Sequence, residues 1–191
     1  MQYKAIIFDF FGVISSEVAP FWFGKYFSKD QIAELKEKYV YPADIGEITG
    51  EELFSNLAKI VSKNQQAIEK EWLELVHINQ GLIEIIRSLK SKYTIALCSN
   101  APSQFLRAII ESNSFSSLFD IIVISSEIKA TKPSPIIFEY VLNKLKLSSS
   151  EVIFIDDNPN YVSGANSIGI NALLYTANPD LTKAFKKIGV L

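Results

Sequence analysis

The stretch that most constrains the fold is Tyr3–Phe8, which is apolar from Ala5 onward and is followed directly by Asp9. An apolar run without polar alternation is typical of a strand that is buried on both faces, as in the centre of a parallel sheet. A carboxylate at the end of such a strand is costly to bury unless a charged group compensates it. Gly12 permits a tight turn that would place Asp9 in a crevice at the sheet edge. The alternative is a strand that simply ends in a solvated aspartate.

Composition excludes several classes of protein. The chain has 191 residues, of which 48% are hydrophobic, and a formal net charge of −2, which suits one sizeable domain with an insertion. Its lysines are scattered, so we expect no nucleic-acid partner. The single cysteine, Cys98, lies in an apolar run and excludes an intrachain disulfide framework; we expect it in the core.

The sequence also bears on the compartment. The apolar run at the amino terminus is interrupted by Asp9, which does not fit a signal peptide. No apolar segment approaches the length of a membrane span. We therefore expect a soluble, cytoplasmic protein without a membrane partner, and nothing in the sequence indicates the oligomeric state.

Residues 15–80 show helical patterning without a strand signal. A first helix is expected to start near Ser28 or Asp30, a second at the capping-box pattern Thr49–Glu52, and a third over 65–76. We predict that 15–80 form a helical cap inserted into a core of residues 1–14 and 81–191. The aromatic residues of 21–27 have two interpretations, the core of this helical block or a lining above the site.

From residue 81 onward, helix and strand patterns alternate. Strands are predicted over 93–99, 121–125, 152–156 and 172–175, with helices near 82–89, 102–111, 134–146, 162–168 and 181–188. Alternation of this kind predicts an α/β fold, a doubly wound, Rossmann-like parallel sheet with right-handed crossovers. Ligands of such sheets bind at the carboxyl ends of the strands, near the switch in strand order.

Polar side chains follow each of the first four predicted strands. They are Asp9, then Ser99 and Asn100, then Lys132, and finally Asp156 and Asp157. Three carboxylates converging on one crevice would repel one another without a divalent cation, and hard oxygen ligands suit Mg²⁺. The start of the helix after Ser99 offers backbone N–H groups to an anion. A cation, a lysine and a helix start around one aspartate describe a site for phosphoryl transfer.

The chain resembles the haloacid dehalogenase superfamily of aspartate-nucleophile hydrolases over essentially its whole length. The four motifs of that superfamily match, in order, 9–13, Ser99-Asn100, Lys132-Pro133 and Asp156-Asp157. The resemblance also extends to a helical cap inserted after the first motif.

The resemblance implies a role for each of these residues. Asp9 would attack phosphorus and form an aspartyl-phosphate. Ser99 and Lys132 would bind phosphoryl oxygens, Lys132 would also keep Asp9 ionised, and Asn100 would contact the phosphoryl group through its amide. Mg²⁺ would be bound by Asp9, Asp157 and the backbone carbonyl of Phe11. Asp156 would be either a further ligand or a residue that supports the ligands without contacting the metal. Cap residues, including 21–23, would set specificity for a small phosphorylated metabolite such as a sugar phosphate.

The chain departs from the pattern of these phosphatases at Phe11. They usually carry a second aspartate there, which serves as general acid and base, and the dehalogenases of the superfamily also lack it. Hydrolysis of a carbon–halogen bond therefore stays open, although dehalogenation uses no metal and the Asp156-Asp157 pair argues against it. A third possibility is a weakly active member that binds a phosphorylated ligand or a protein. If another residue replaces the acid, Glu17 is the first candidate.

Overall fold

A computed structural model describes residues 3–191, and its centre is a five-stranded parallel sheet. The strands are β1 (Ala5–Phe8), β2 (Thr94–Ser99), β3 (Ile121–Ile124), β4 (Val152–Asp156) and β5 (Asn171–Leu174). Their order across the sheet is β3-β2-β1-β4-β5, and all four neighbouring pairs are parallel. This arrangement confirms the predicted α/β sheet and places the apolar run before Asp9 on its central strand.

Eleven α-helices surround the sheet within the described residues. They are α1 (Ala19–Gly24), α2 (Lys29–Leu35), α3 (Tyr41–Asp44), α4 (Gly50–Ile60), α5 (Gln65–Glu74), α6 (Gln80–Leu89), α7 (Ser103–Ser112), α8 (Ser125–Ile128), α9 (Pro135–Leu145), α10 (Pro159–Ser167) and α11 (Asn178–Lys187). A π-helical turn, Lys36–Val40, joins α2 to α3. The short helices α1, α3 and α8 were not predicted, because four to six residues carry too little periodicity to recognise.

Alternate residues of each strand face two separate hydrophobic clusters. On one side, Ile6 and Phe8 of β1 pack with residues of α6, α7 and α11. On the other side, Ala5 and Ile7 pack with residues of α9 and α10, and Cys98 lies here, fully buried as expected. Burial on both faces explains why the strands read as continuous apolar runs.

The segment between β1 and α6 is built from helices, as predicted. The capping box at the start of α4 is confirmed, because the Thr49 hydroxyl accepts from the Glu52 amide at 3.1 Å and the Glu52 carboxylate accepts from the Thr49 amide at 2.7 Å. In the aromatic stretch, Trp22 and Phe23 are completely buried and Phe21 is 61% exposed. The first interpretation, a core for the helical block, is the one that the structure favours.

The helical segment packs directly on the rest of the chain. Phe54 of α4 and Trp72 of α5 contact Phe105 of α7, with ring centroids 5.6 and 5.7 Å apart. Its two connections are joined by an antiparallel bridge between Ser15 and Ile78. One hydrophobic cluster therefore runs through both parts, and the division at 14/15 and 80/81 stays a prediction. Within 3–191, no helix is both long and apolar enough to cross a membrane.

Candidate functional site

The strand order changes direction beside β1, and the first site residues lie at that point. From β1 the chain first adds β2 and β3 on one side, and then β4 and β5 on the other. Asp9 follows β1 directly, and its amide donates to the Ile155 carbonyl of β4 at 2.9 Å. Asp156 ends β4. The two carboxylates are therefore adjacent because their strands are neighbours.

Lys132 lies between these two carboxylates and is completely buried. Its Nζ is 2.8 Å from Asp9 Oδ1 and 2.6 Å from Asp156 Oδ2. Burial alone would lower the pKa of the Lys132 ammonium, but the charges of Asp9 and Asp156 raise it above its usual range. A buried ammonium with two charged partners is a fixed positive charge beneath the end of β1.

Asp157 completes a group of three carboxylates. Oxygen atoms of Asp9, Asp156 and Asp157 all lie within 4.8 Å of one another. Burial and then the charge of Asp9 raise the pKa of both Asp156 and Asp157. Three carboxylates and the single Lys132 ammonium leave a formal charge of −2, which a divalent cation would balance. The donors are all oxygen, which is the ligand type that Mg²⁺ prefers.

The turn after Asp9 is shaped around the same group. Gly12 has φ +84°, and a Cβ at this position would overlap the Asp157 carboxylate. Within residues 3–191, no hydrogen bond to the Phe11 carbonyl is found, which leaves its lone pairs available. The residues present therefore fit a bound Mg²⁺ ion.

Ser99 and Asn100 follow β2 at the same edge. The Ser99 hydroxyl is buried and has no hydrogen-bond partner within the described part of the chain, so it is available to a ligand. The Asn100 side chain is engaged with Lys132, whose amide donates to Oδ1 at 2.8 Å and whose carbonyl accepts from Nδ2 at 3.0 Å. In this structure Asn100 therefore positions the lysine loop.

The start of α7 differs from the free anion site that the sequence suggested. The Ala101 amide donates to the Ser125 hydroxyl at 3.0 Å, and the Ser103 amide donates to the Ser126 hydroxyl at 2.9 Å. Both serines belong to α8, whose first residue, Ser125, was predicted as the end of a strand. These two amides are therefore occupied within the protein.

A cavity of about 120 Å³ lies above the carboxylates. Its floor includes Asp9, Ser99 and Asp157, and one wall carries the rings of Phe11 and Phe105, stacked with centroids 6.2 Å apart. The buried Trp72 ring extends this wall from the helical segment. The cavity thus joins a charged floor to an aromatic side. Residues 21–23 are not among those that line it.

Three charged side chains of the helical segment also line the cavity, namely Glu17, Lys36 and Asp44. Burial raises the pKa of Glu17, and it raises the pKa of Asp44 to about 7, although Lys36 opposes both shifts. Sequence reasoning missed Lys36 and Asp44, since neither follows a strand or belongs to a motif. The only signal near them is the π-helical turn that begins at Lys36, a distortion that is frequent at functional sites.

Comparison with known proteins identifies the family. Residues 6–175 match the haloacid dehalogenase-like hydrolase family. A phosphorylated carbohydrates phosphatase of Thermotoga maritima is 25% identical over 184 residues, which cover 89% of this chain and 83% of the relative. An (S)-2-haloacid dehalogenase of Pseudomonas sp. is 22% identical over 166 residues, which cover 85% and 72% of the two chains.

Solved structures agree with this match. A HAD family enzyme from Bacteroides thetaiotaomicron superposes with a TM-score of 0.83 at 22% identity, over 97% of this chain and 99% of that one. Its complex with magnesium and inorganic phosphate gives a TM-score of 0.79 at 22% identity, over 96% and 100% of the two chains. The fold is therefore shared along nearly the whole length of both proteins. The chain belongs to the haloacid dehalogenase-like hydrolase family.

Proposed function

We propose that the protein is a Mg²⁺-dependent phosphomonoester hydrolase that acts through an aspartyl-phosphate on Asp9. The observation that carries the proposal is the buried Lys132 ammonium between Asp9 and Asp156, beside a third carboxylate at 157. A dianionic phosphoryl group needs positive charge around it, and one lysine among three carboxylates cannot supply enough without a cation.

Each residue has a defined task in this proposal. The carboxylate of Asp9 attacks phosphorus, oriented by the Lys132 ammonium and by the Phe10 amide, which donates to Asp9 Oδ1 at 2.7 Å. The unpartnered Ser99 hydroxyl donates to a phosphoryl oxygen. Asp9, Asp157 and the Phe11 carbonyl hold Mg²⁺, with Asp156 as a further ligand or support. When bound, Mg²⁺ neutralises phosphoryl charge and orients the group for in-line attack.

The substrate class follows from the cavity and from the relatives. The cavity of about 120 Å³ suits a small phosphorylated metabolite. The Thermotoga relative is named as a phosphatase of phosphorylated carbohydrates, which makes sugar phosphates the first compounds to test. The solved neighbour holds magnesium together with inorganic phosphate, which is consistent with the proposed metal.

Hydrolysis of 2-haloacids is the second candidate. The dehalogenase relative and the missing carboxylate at Phe11 favour it. The three clustered carboxylates oppose it, because they would repel the carboxylate of a 2-haloacid. The third candidate is a weakly active family member that binds a phosphorylated ligand or a protein.

The test is a screen of the purified protein against phosphorylated metabolites, with Mg²⁺ and with EDTA, alongside halide release from 2-chloropropionate. We expect phosphate release that chelation abolishes and no halide release. Undiminished turnover in EDTA would contradict the metal role, and halide release without phosphate release would support the dehalogenase instead.

A pair of variants locates the metal. Asp157→Asn should raise the Mg²⁺ concentration for half-maximal activity by at least about tenfold, since it removes a ligand oxygen. The exposed Asp180 in α11 provides the matched control, and Asp180→Asn should leave that concentration unchanged.

A further inference from the structure

Residue 11, where the related phosphatases usually carry their acid, is a phenylalanine. It stacks on Phe105, with an angle of 11° between the ring planes, and it meets Phe10 edge-on with centroids 5.1 Å apart. The side of the cavity next to the nucleophile is therefore apolar, and residue 11 supplies no proton. Departure of a poor leaving group, such as an alkoxide, needs a proton from another side chain.

Four carboxyl groups line the cavity, and two of them already have tasks. Asp9 is paired with Lys132, and Asp157 belongs to the group of three carboxylates. Glu17 and Asp44 are the other two. Neither of their carboxyl groups makes a hydrogen bond or an ion pair within residues 3–191, so each is available to a ligand.

The positions of these two carboxyls differ. Glu17 lies on the irregular connection between β1 and α1, two residues after Ser15, which bridges to both Phe11 and Ile78. Asp44, at the end of α3, also lines a second cavity together with Asn100 and Lys132. Glu17 lines the cavity over Asp9, and Asp44 is shared between that cavity and the second one.

Charged groups surround both carboxyls. Lys36, Asp157, Asp9 and Lys132 act on Glu17, and Lys36, Asp9 and Lys132 also act on Asp44, with Glu17 and Asp44 repelling each other. Burial, reinforced by Asp157 and Asp9 and opposed by Lys36, raises the pKa of Glu17. A raised pKa favours the protonated form that a general acid needs.

We propose that Glu17 is the general acid and base that replaces the carboxylate missing at residue 11. In the first step Asp9 forms a bond to phosphorus, the bond to the leaving oxygen breaks, and Glu17 gives its proton to that oxygen. In the second step the Glu17 carboxylate takes a proton from water as the water oxygen attacks phosphorus. The Asp9–phosphorus bond then breaks, and Glu17 is protonated again. This inference rests on the proposed phosphatase function.

The test compares two leaving groups in Glu17→Gln. An alkyl phosphate needs a proton on its leaving oxygen, whereas p-nitrophenolate departs without one. We expect turnover of the alkyl phosphate to fall by about 10²–10⁴ and the first step with p-nitrophenyl phosphate to fall by less than about tenfold. Because the second step still needs a base, p-nitrophenol should appear as a burst followed by slow turnover.

Asp44→Asn is the matched control, since it removes the other unpaired carboxyl of the same cavity. It should leave the ratio of alkyl to aryl turnover unchanged. Glu17→Ala is measured in parallel, and circular dichroism of each variant establishes that it is folded. A merely structural role for Glu17 would lower the first-step rates with the two substrates by the same factor.

The outcomes separate this inference from the proposed function. If wild-type turnover depends on Asp9 but Glu17→Gln lowers the first-step rates with the alkyl and aryl phosphates equally, the assignment of Glu17 is wrong and the phosphatase stands. If Asp44→Asn produces the selective loss on the alkyl substrate, Asp44 is the acid. If wild type shows no Asp9-dependent phosphate release, both the proposed function and the assignment fall.

Discussion

The floor of the cavity and the side formed by the helical segment differ in how their polar groups are paired. On the floor, Lys132 bonds both Asp9 and Asp156, and Asn100 holds the backbone of Lys132, while the Ser99 hydroxyl has no partner within the described residues. On the helical side, the charged groups of Glu17, Lys36 and Asp44 make no hydrogen bond or ion pair within 3–191, and neither does the buried Trp72 Nε1.

This difference has a physical origin. The floor residues follow strands whose separation is fixed by backbone hydrogen bonds, so their side chains can be paired before any substrate arrives. The helical side is positioned by side-chain packing, such as that of Phe54 and Trp72 on Phe105. Its unpaired polar groups are suited to contacts that only a substrate completes. Mutations should therefore have large effects on the floor and selective effects on the helical side.

The largest expected effect is the loss of turnover in Asp9→Asn. An amide does not attack phosphorus, so phosphate release should fall by about 10⁴-fold or more, as for the removal of other nucleophiles. Phosphate release is measured at saturating Mg²⁺, and mass spectrometry of acid-quenched wild type should show a phosphoryl group on Asp9. Retention of most activity in Asp9→Asn would show that the reaction is not covalent at this residue.

The second effect is on stability. Lys132→Met leaves Asp9 and Asp156 buried without a positive partner, which should lower the free energy of unfolding by about 3–5 kcal/mol at pH 7 without Mg²⁺. Urea unfolding of Arg107→Met is the control, because the Arg107–Glu127 pair lies at the surface and is worth at most about 1 kcal/mol. Equal losses of unfolding free energy in the two variants would contradict the larger contribution expected from the buried ion pairs of the floor.

The third effect tests the turn under the metal group. Gly12→Ala forces φ +84° on a residue with a Cβ and crowds Asp157, so we expect a loss of about 1–2 kcal/mol and weaker Mg²⁺ binding. Gly189 has φ +75° with nothing within 4 Å of its added Cβ, so Gly189→Ala shows the backbone strain alone. Calorimetric titration with Mg²⁺ should separate the two variants, and unchanged affinity in Gly12→Ala would contradict a metal role for Asp157.

The smallest effect concerns the helical side. The pKa of Asp44 is raised to about 7 in the folded protein, so the folded state holds this proton more tightly than the unfolded chain does. Below about pH 4 the Asp44 carboxyl is largely protonated in both states and does not lower the free energy of unfolding. As the pH rises toward 7 the unfolded chain releases this proton first, so the free energy of unfolding falls. The free energy of unfolding of Asp44→Asn should match that of wild type at pH 4 and exceed it at pH 8. Thermal unfolding at both pH values measures this difference, and a variant less stable at pH 8 would contradict the raised pKa.

The sequence by itself predicted the parallel sheet and the residues of the floor. Both follow from local signals, namely apolar runs buried on two faces and a polar residue directly after each run, as in Phe8-Asp9 and Ile155-Asp156. The carboxyl ends of neighbouring parallel strands must meet at one edge, so residues more than a hundred positions apart are brought together by topology alone. The resemblance to the family rested on the same residues, and the family match agrees with it.

Only the tertiary structure decided what faces that floor. The amides at the start of α7 were expected to be free, yet the Ser103 amide donates to Ser126, and the Ala101 amide just before the helix donates to Ser125. Both partners belong to α8, more than twenty residues further along the chain. Asn100 holds the Lys132 loop, while Lys36 and Asp44 reach the cavity from a π-helical turn and a helix of four residues. Which side chains of the helical segment point inward depends on how its helices pack on α7. No period in the sequence encodes that packing, because it is set by the shapes of side chains that are distant along the chain.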